Sequence, residues 1–403
     1  MPWIERAREL GARVPAKTRR LALAAATSAL VSLSALAQAV APAPAPLHVA
    51  TFDSGFGGYL TAKSIEVTAS DLLQRYDTAI TIRHYGDTKN LPYGEKTPAQ
   101  IATLGSAGVL RAFEQGADMV FIACNTASTQ YDRIRQAVDA AYPGQDKPVV
   151  SIIDASAKEA KRLLDQTLAQ RPSATFVIMA TPATVKAMVY PRQLARLYGV
   201  PIKEGAPTVF TQPRWFTANG PTIDSLIQES AIDLPAGHHI QVVQLAPANW
   251  VELIEHGADA KLKRAAVQRD LGLLARRLPK GSSPDVVGYF CTHYPIFDDA
   301  IRAEMATQLP APRAPAYISQ GQLMARIFQG MAEARLQGQQ RKAPLAGAHL
   351  QALLDSARAN ITISGQNGAV TRQLAQTMFP NDPTPLVTEE DLGSLTPAAL
   401  APR

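Results

Sequence analysis

Short apolar, β-branched runs alternate with helix-length amphipathic segments along most of this chain. Residues 48–52, 80–85 and 119–123 read as strands, and residues 58–75, 98–115 and 127–141 as the helices that follow them. Alternation of this kind implies parallel strands joined by helical crossovers. The pattern then repeats, with strands expected at 149–153, 176–179, 240–244 and 286–289 and helices over 155–170, 249–256 and 259–278. The expected fold is α/β, built from two doubly wound parallel-sheet units. Residues 204–239 lack a clean period, hold scattered Pro, Gly and Trp215, and are expected to form a loop-rich insertion. From 341 to 403, Pro and Gly punctuation leaves room for one or two helices, such as 348–359, and no role is assigned to this tail.

The N-terminus departs from that pattern. A basic stretch ending in Arg19-Arg20 precedes an uncharged Ala/Leu-rich run over 21–40, and Ala37-Gln38-Ala39 supplies the small residues of a cleavage site. The arginine pair and the mild hydrophobicity point to twin-arginine export, hence to a periplasmic protein, or to a cytoplasmic one if the segment is not a working signal. Left uncleaved, a run of about 20 residues would instead anchor the chain in a membrane. The alternating Ala/Pro of 41–46 is a stiff extended spacer, so residues 1–46 are set outside the fold. This segment also accounts for most of the charge. The chain of 403 residues carries a formal +6, of which +4 lies in residues 1–39, and the remaining +2 gives no support to nucleic-acid binding. With 46% hydrophobic residues there is ample material for a full core.

In parallel α/β sheets, ligands bind beyond the carboxyl ends of the strands. Four such ends carry small, polar or reactive residues: Asp53-Ser54-Gly55, Cys124-Asn125-Thr126, Thr181-Pro182-Ala183-Thr184 and Cys291-Thr292-His293. The two cysteines of the chain both follow apolar runs, each at a strand-to-helix turn where backbone N–H groups favour a thiolate or a bound carboxylate. Two cysteines in an exported chain are ordinarily read as a disulfide. Their equivalent settings favour paired chemistry instead. Inverting a stereocentre by proton transfer needs a base on one face of the carbon and an acid on the other, and a thiolate with a thiol meets that need symmetrically. Gly55, Gly57 and Gly58 lack the Lys-Ser/Thr ending of a phosphate loop and are expected to allow close approach of backbone to ligand. His238 and His239 complete no metal-ligand spacing, so no metal is expected.

The strings FDSGFGG (52–58), YGDTKNLPYGEK (85–96), ACNTAS (123–128) and CTHYP (291–295) closely resemble the signature segments of glutamate racemases, in the aspartate/glutamate racemase superfamily. Weaker agreement runs through VIMATPATVKAMVY (177–190) and WVELIEHG (250–257). The resemblance implies two pseudo-symmetric units, 47–148 and 149–313, with the active site between them and residues 314–340 returning to the first. It implies Cys124 and Cys291 as the catalytic thiols, acting on the D- and L-enantiomer respectively. Asp53 is the carboxylate that assists the first, His293 the imidazole that assists the second, and Glu255 a further acidic residue beside them. Ser54, Pro92, Tyr93, Gly94, Asn125, Thr126, Thr181, Thr184 and Thr292 fall where the family holds the substrate's ammonium and carboxylates. It further implies a small amino-acid substrate, no metal or other cofactor, and a homodimer.

The sequence departs from the family's pattern at several points: the export segment, Ala246 where a cysteine usually precedes Pro247, Ser319 where an aspartate is usual, the 204–239 insertion and the 341–403 tail. These leave three other readings in play: a racemase for another amino acid such as aspartate, an exported amino-acid-binding protein without turnover, and a redox disulfide.

Overall fold

The computed structural model describes residues 45–214, 222–278, 283–309, 314–341, 345 and 347–390. The segment expected to direct export, residues 1–40, and Trp215 lie outside the described residues. Among those described, no helix is long and apolar enough to cross a membrane.

The chain opens with β1 (Leu47–Asp53), α1 (Gly58–Arg75), β2 (Ile80–Gly86), α2 (Pro98–Glu114), β3 (Met119–Ile122), the single turn α3 (Asn125–Ser128), α4 (Tyr131–Ala141) and β4 (Val149–Ser151). There follow α5 (Ile152–Leu168), β5 (Ser173–Ala180), α6 (Pro182–Ala187), α7 (Val189–Tyr198), β6 (Lys203–Glu204), β7 (Thr208–Pro213), β8 (Thr222–Asp233) and β9 (His239–Ala246). Next come α8 (Trp250–Glu255), α9 (Ala260–Ala275), β10 (Val286–Phe290), α10 (Asp298–Gln308), β11 (Ala316–Ile318) and α11 (Gln320–Arg335). The chain closes with α12 (Gly347–Ser356), β12 (Ala359–Ile363), α13 (Gly368–Met378) and β13 (Val387–Glu389).

The strands form two sheets. The first, in the order β13-β12-β2-β1-β3-β4, is parallel throughout. The second runs β11-β10-β5-β9-β8-β6, parallel from β11 to β9 and antiparallel beyond, with β7 also on β8. β1 is buried along almost its whole length because helices cover both faces, the arrangement that makes central parallel strands read as continuous apolar runs. On one face α1 buries Ala62, Ile65, Ala69, Leu72 and Leu73, a helical stripe, against Met324 and Phe328 of α11. On the other lie Ile101, Val109 and Phe113 of α2 with Ile134 and Val138 of α4.

Local chemistry sets several boundaries. Thr97 and Gln100 form a reciprocal capping box ahead of Pro98, which starts α2. Ser151 caps α5 by accepting from Ile153 N at 3.3 Å, so the strand expected to run to 153 ends two residues earlier and belongs to the first sheet. The predicted helix over 127–141 is instead α3 and α4, divided at Thr129-Gln130.

The insertion over 204–239 is a correction. It contains a long hairpin, β7 and β8, paired from Thr208↔Ile227 to Pro213↔Thr222. Its buried positions include Gln212, Ser225, Gln228 and Ser230, so the apolar period that marks a strand is missing although the ladder is intact. The tail also carries more structure than one or two helices. β12 and β13 extend the first sheet beyond β2, and Ile361, Ile363, Leu374 and Ala375 join its core.

Candidate active site

β1 and β3 are neighbours in the first sheet, and β5 and β10 in the second, so four strand ends converge where the halves face each other. A single cavity there is lined by Cys124 and Cys291 together. Ser54, Pro92, Tyr93, Gly94, Asn125, Thr126, Thr181, Thr292 and His293 complete its wall with Val251, and its free space is about 10 Å³, room for one water. Both cysteines are free thiols, and both are buried.

The two sulfurs have different surroundings. Cys124 caps α3, accepting from Ala127 N at 3.4 Å, and its thiol points to Ser54 Oγ at 3.7 Å. Ser54 Oγ in turn donates to Asp53 Oδ1 at 3.4 Å, so Asp53 reaches Cys124 through a hydroxyl. Gly55 N also donates to Asp53 Oδ1, and Thr292 Oγ to Oδ2 at 2.9 Å. Asp53 is therefore held by both halves and does not cap a helix. Burial pushes its carboxyl up to about 6, against the opposing pull of His293 and the Thr292 and Gly55 hydrogen bonds. Burial, reinforced by the Asp53 charge, drives the Cys124 thiol far above the ordinary range, which keeps its proton in place.

Cys291 Sγ lies 3.7 Å from His293 Nδ1. His293 Nε2 meets Glu255 Oε1 at 2.5 Å, and the same oxygen accepts from Phe56 N at 2.7 Å. Burial by itself disfavours a charged imidazole, but the hydrogen bonds to Cys291 and Glu255 outweigh it and hold His293 well above the usual histidine range. His293 thus bonds Glu255 through one nitrogen while the other faces a sulfur, a setting that favours its protonated form.

The glycine loop after β1 explains how these groups approach. A side chain on Gly55 would overlap Glu255 Oε1, and a Cβ on Gly57 would stand 2.6 Å from Thr292 Oγ and 2.7 Å from His293 Nδ1. The close approach expected of these glycines is thus to side chains, those of the opposite half at Gly55 and Gly57 and Asp53 and His84 at Gly58. Behind the loop, His84 Nε2 is 2.9 Å from Gly55 O and Nδ1 3.0 Å from Thr51 Oγ. The carbonyl can only accept, so Nε2 carries the hydrogen. Burial lowers His84 to about 4, so it serves as a neutral strut.

Three of the expected residues stand one layer back from the cavity wall. Thr184, fully buried, bonds Thr126 and Thr181 in a hydroxyl cluster that joins the halves. Asp53 and Glu255 act through Ser54 and His293. Sequence reasoning missed Val251, His84, Tyr190 and Gln320. Gln320 exchanges amide hydrogen bonds with Asn125 at 2.8 and 2.9 Å and also reaches Ser156 and Tyr190, whose hydroxyl bonds Asn125 as well. It follows the strand β11, so the strand-end rule that found the cysteines reaches it too, but that strand has only three residues. Among the described residues, no cluster of His, Cys, Asp and Glu has a metal-holding arrangement.

The Asp/Glu/hydantoin racemase family matches residues 61–212. The glutamate racemase of Dinoroseobacter shibae is 27% identical over 265 residues, which span 64% of this chain and 77% of the relative. That of Ruegeria pomeroyi is 28% identical over 258 residues, 63% and 77% of the two chains. A glutamate racemase isoform from Bacillus anthracis superposes with a TM-score of 0.57 at 16% identity, covering 86% of this chain and 98% of that one. Glutamate racemase from Francisella tularensis, solved in complex with D-glutamate, gives 0.56 at 18% identity over 86% and 98%. These two structures share the fold.

Proposed function

Since the chain belongs to the Asp/Glu/hydantoin racemase family and is an isomerase, we propose that it interconverts L- and D-glutamate by two-thiol proton transfer at Cα. One observation carries this reading: both thiols line one cavity, each backed by its own acid–base partner. In one direction Cys291 takes the Cα proton of the L-enantiomer, helped by the His293 imidazolium, and Cys124 returns a proton to the opposite face. In the other, Cys124, reached by Asp53 through Ser54 Oγ, takes the Cα proton of the D-enantiomer and Cys291 returns a proton to the opposite face. Hydroxyl and amide groups of Thr126, Thr181 and Asn125 on the cavity wall suit the carboxylates, and donors aimed at the α-carboxylate stabilise the carbanionic charge.

Purified, reduced protein incubated with L- or D-glutamate in D₂O is expected to incorporate deuterium at Cα and lose optical rotation. Cys124→Ser and Cys291→Ser are each expected to lower turnover at least ~100-fold, as removal of a proton-transfer group does. Exchange with aspartate and none with glutamate would move the substrate to aspartate. No turnover of either, with thermal stabilisation of the double serine variant by glutamate, would leave an amino-acid-binding protein. We further infer export of the mature enzyme to the periplasm, from Arg19-Arg20 and the Ala/Leu run that follows. Recovery of full-length protein solely from the cytoplasmic fraction would overturn it.

A further inference from the structure

We infer that the C-terminal segment 347–390 holds the wall of the candidate active site in place, with Ser364 as the positioning residue. β12 pairs with β2 so that Ile363 lies opposite Gly86, and the two strands end together. From there β2 runs into the segment 87–94, whose Pro92, Tyr93 and Gly94 line the cavity. Apart from Asp87 N, which donates to Asp53 O of β1 at 2.9 Å, that segment makes no strand pairing. Ser364 supplies the missing contacts. Its backbone N donates to Gly86 O at 3.0 Å, its Oγ donates to Asp87 Oδ1 at 2.6 Å, and the same Oγ accepts from Lys89 N at 2.9 Å.

Asp87 passes the constraint on. Its Oδ2 accepts from the Tyr93 hydroxyl at 2.6 Å, and Asn90 Nδ2 bridges both oxygens at 3.0 and 3.1 Å. Ser364, Asp87 and Tyr93 are all buried, which removes the water that would compete for these bonds. Downstream, Gly94 is pressed on the opposite half: a Cβ there would sit 2.8 Å from Thr181 Cβ. The tail's remaining contacts anchor Ser364. Glu66 accepts from Ala359 N at 2.8 Å, Lys63 pairs with Asp382 at 2.7 Å, and Glu390 pairs with Arg111 of α2 at 3.2 Å. A chain ending at α11 would lack this support, and the tail's place in the molecule follows from the site it braces.

The kinetic consequence rests on the racemase reading, so the test has an arm that does not. Hydrogen–deuterium exchange of the full chain, read on peptides covering 87–94, is expected to be at least about tenfold faster in Ser364→Ala, which loses the hydroxyl's bonds to both Asp87 and Lys89 N. The rest of the first sheet should exchange at the parental rate. Ser364→Thr, which keeps the hydroxyl, should restore protection. In turnover assays Ser364→Ala should raise KM several-fold while kcat changes less, because the wall it braces binds the substrate rather than moving the proton. Unchanged exchange at 87–94 in Ser364→Ala would overturn the inference. So would acceleration spread evenly over the first sheet, or a threonine variant that behaves like alanine. A parent without turnover would sink the racemase reading, and the exchange arm would still decide the role of the tail.

Discussion

Asp53 and His84 sit on either side of the glycine loop and titrate in opposite senses. For Asp53 the folded value of about 6 exceeds the ordinary 3.8, so the native state holds the extra proton between them. The stability this contributes is complete below 3.8 and is lost as pH rises through about 6. His84, lowered from 6.5 to about 4, does the reverse: its contribution is complete above 6.5 and is lost as pH falls through about 4. Over the shared window the two offset. Asp53→Asn should therefore melt higher than the parent at pH 8, where the buried carboxylate costs on the order of 3 kcal/mol, and show little difference at pH 4. Melting curves across that range check it, and a Tm difference independent of pH would refute the assignment. Activity should fall at least ~100-fold in the same variant. Racemisation has an equilibrium constant of unity, so kcat/KM must fall equally in both directions. In the parent its acid limb should lie near 6, where Asp53 gains its proton.

At the scale of elements, the turn after β1 matters more than its length suggests. Its glycines let Phe56 N bond Glu255 and leave Thr292 free to bond Asp53. Gly57→Ala would put a methyl group within 3 Å of Thr292 and His293. We expect a stability loss of about 1–3 kcal/mol, as for overpacking elsewhere, with a disproportionate fall in kcat/KM of roughly 100-fold. Denaturant melts and kinetics on the same preparation separate the two effects. A kinetic loss no larger than the lost folded fraction would mean the loop is only structural. The other element holding the site is α11, which places Gln320 against Asn125. Gln320→Leu would leave buried polar groups of Asn125, Ser156 and Tyr190 short of partners, for about 3 kcal/mol at the upper end of one unsatisfied group.

At the scale of the whole molecule, the tail is part of the first sheet's hydrophobic core. Ile361 and Ile363 pack in the cluster that contains Ile80, Ile82, Leu72 and Phe56. Ile363→Ala should cost about 2–5 kcal/mol by cavity formation, read as a lowered denaturant midpoint. A chain truncated after Arg341 would present the edge of β2 and these apolar side chains to water, so it should be recovered aggregated. A truncated protein that stays soluble and melts with the parent would show that the tail is dispensable to the core.

The sequence by itself determined the elements whose signal is local. Parallel strands covered on both faces favour apolar runs, which is why β1, β3, β5 and β10 were legible, as β2 and β9 were from their β-branched positions, and with them the strand ends that bear Asp53, Cys124, Thr181 and Cys291. Tertiary structure alone decided the rest. The hairpin of β7 and β8 buries polar side chains, and the short strands β11, β12 and β13 owe their pairing to neighbours laid down earlier in the chain. The hydroxyl between Cys124 and Asp53, the Thr292 bond to Asp53 and the Ser364 bond to Asp87 left no local trace. The last two join residues 239 and 277 positions apart, and a contact between groups so distant along the chain exists only once folding has brought them together.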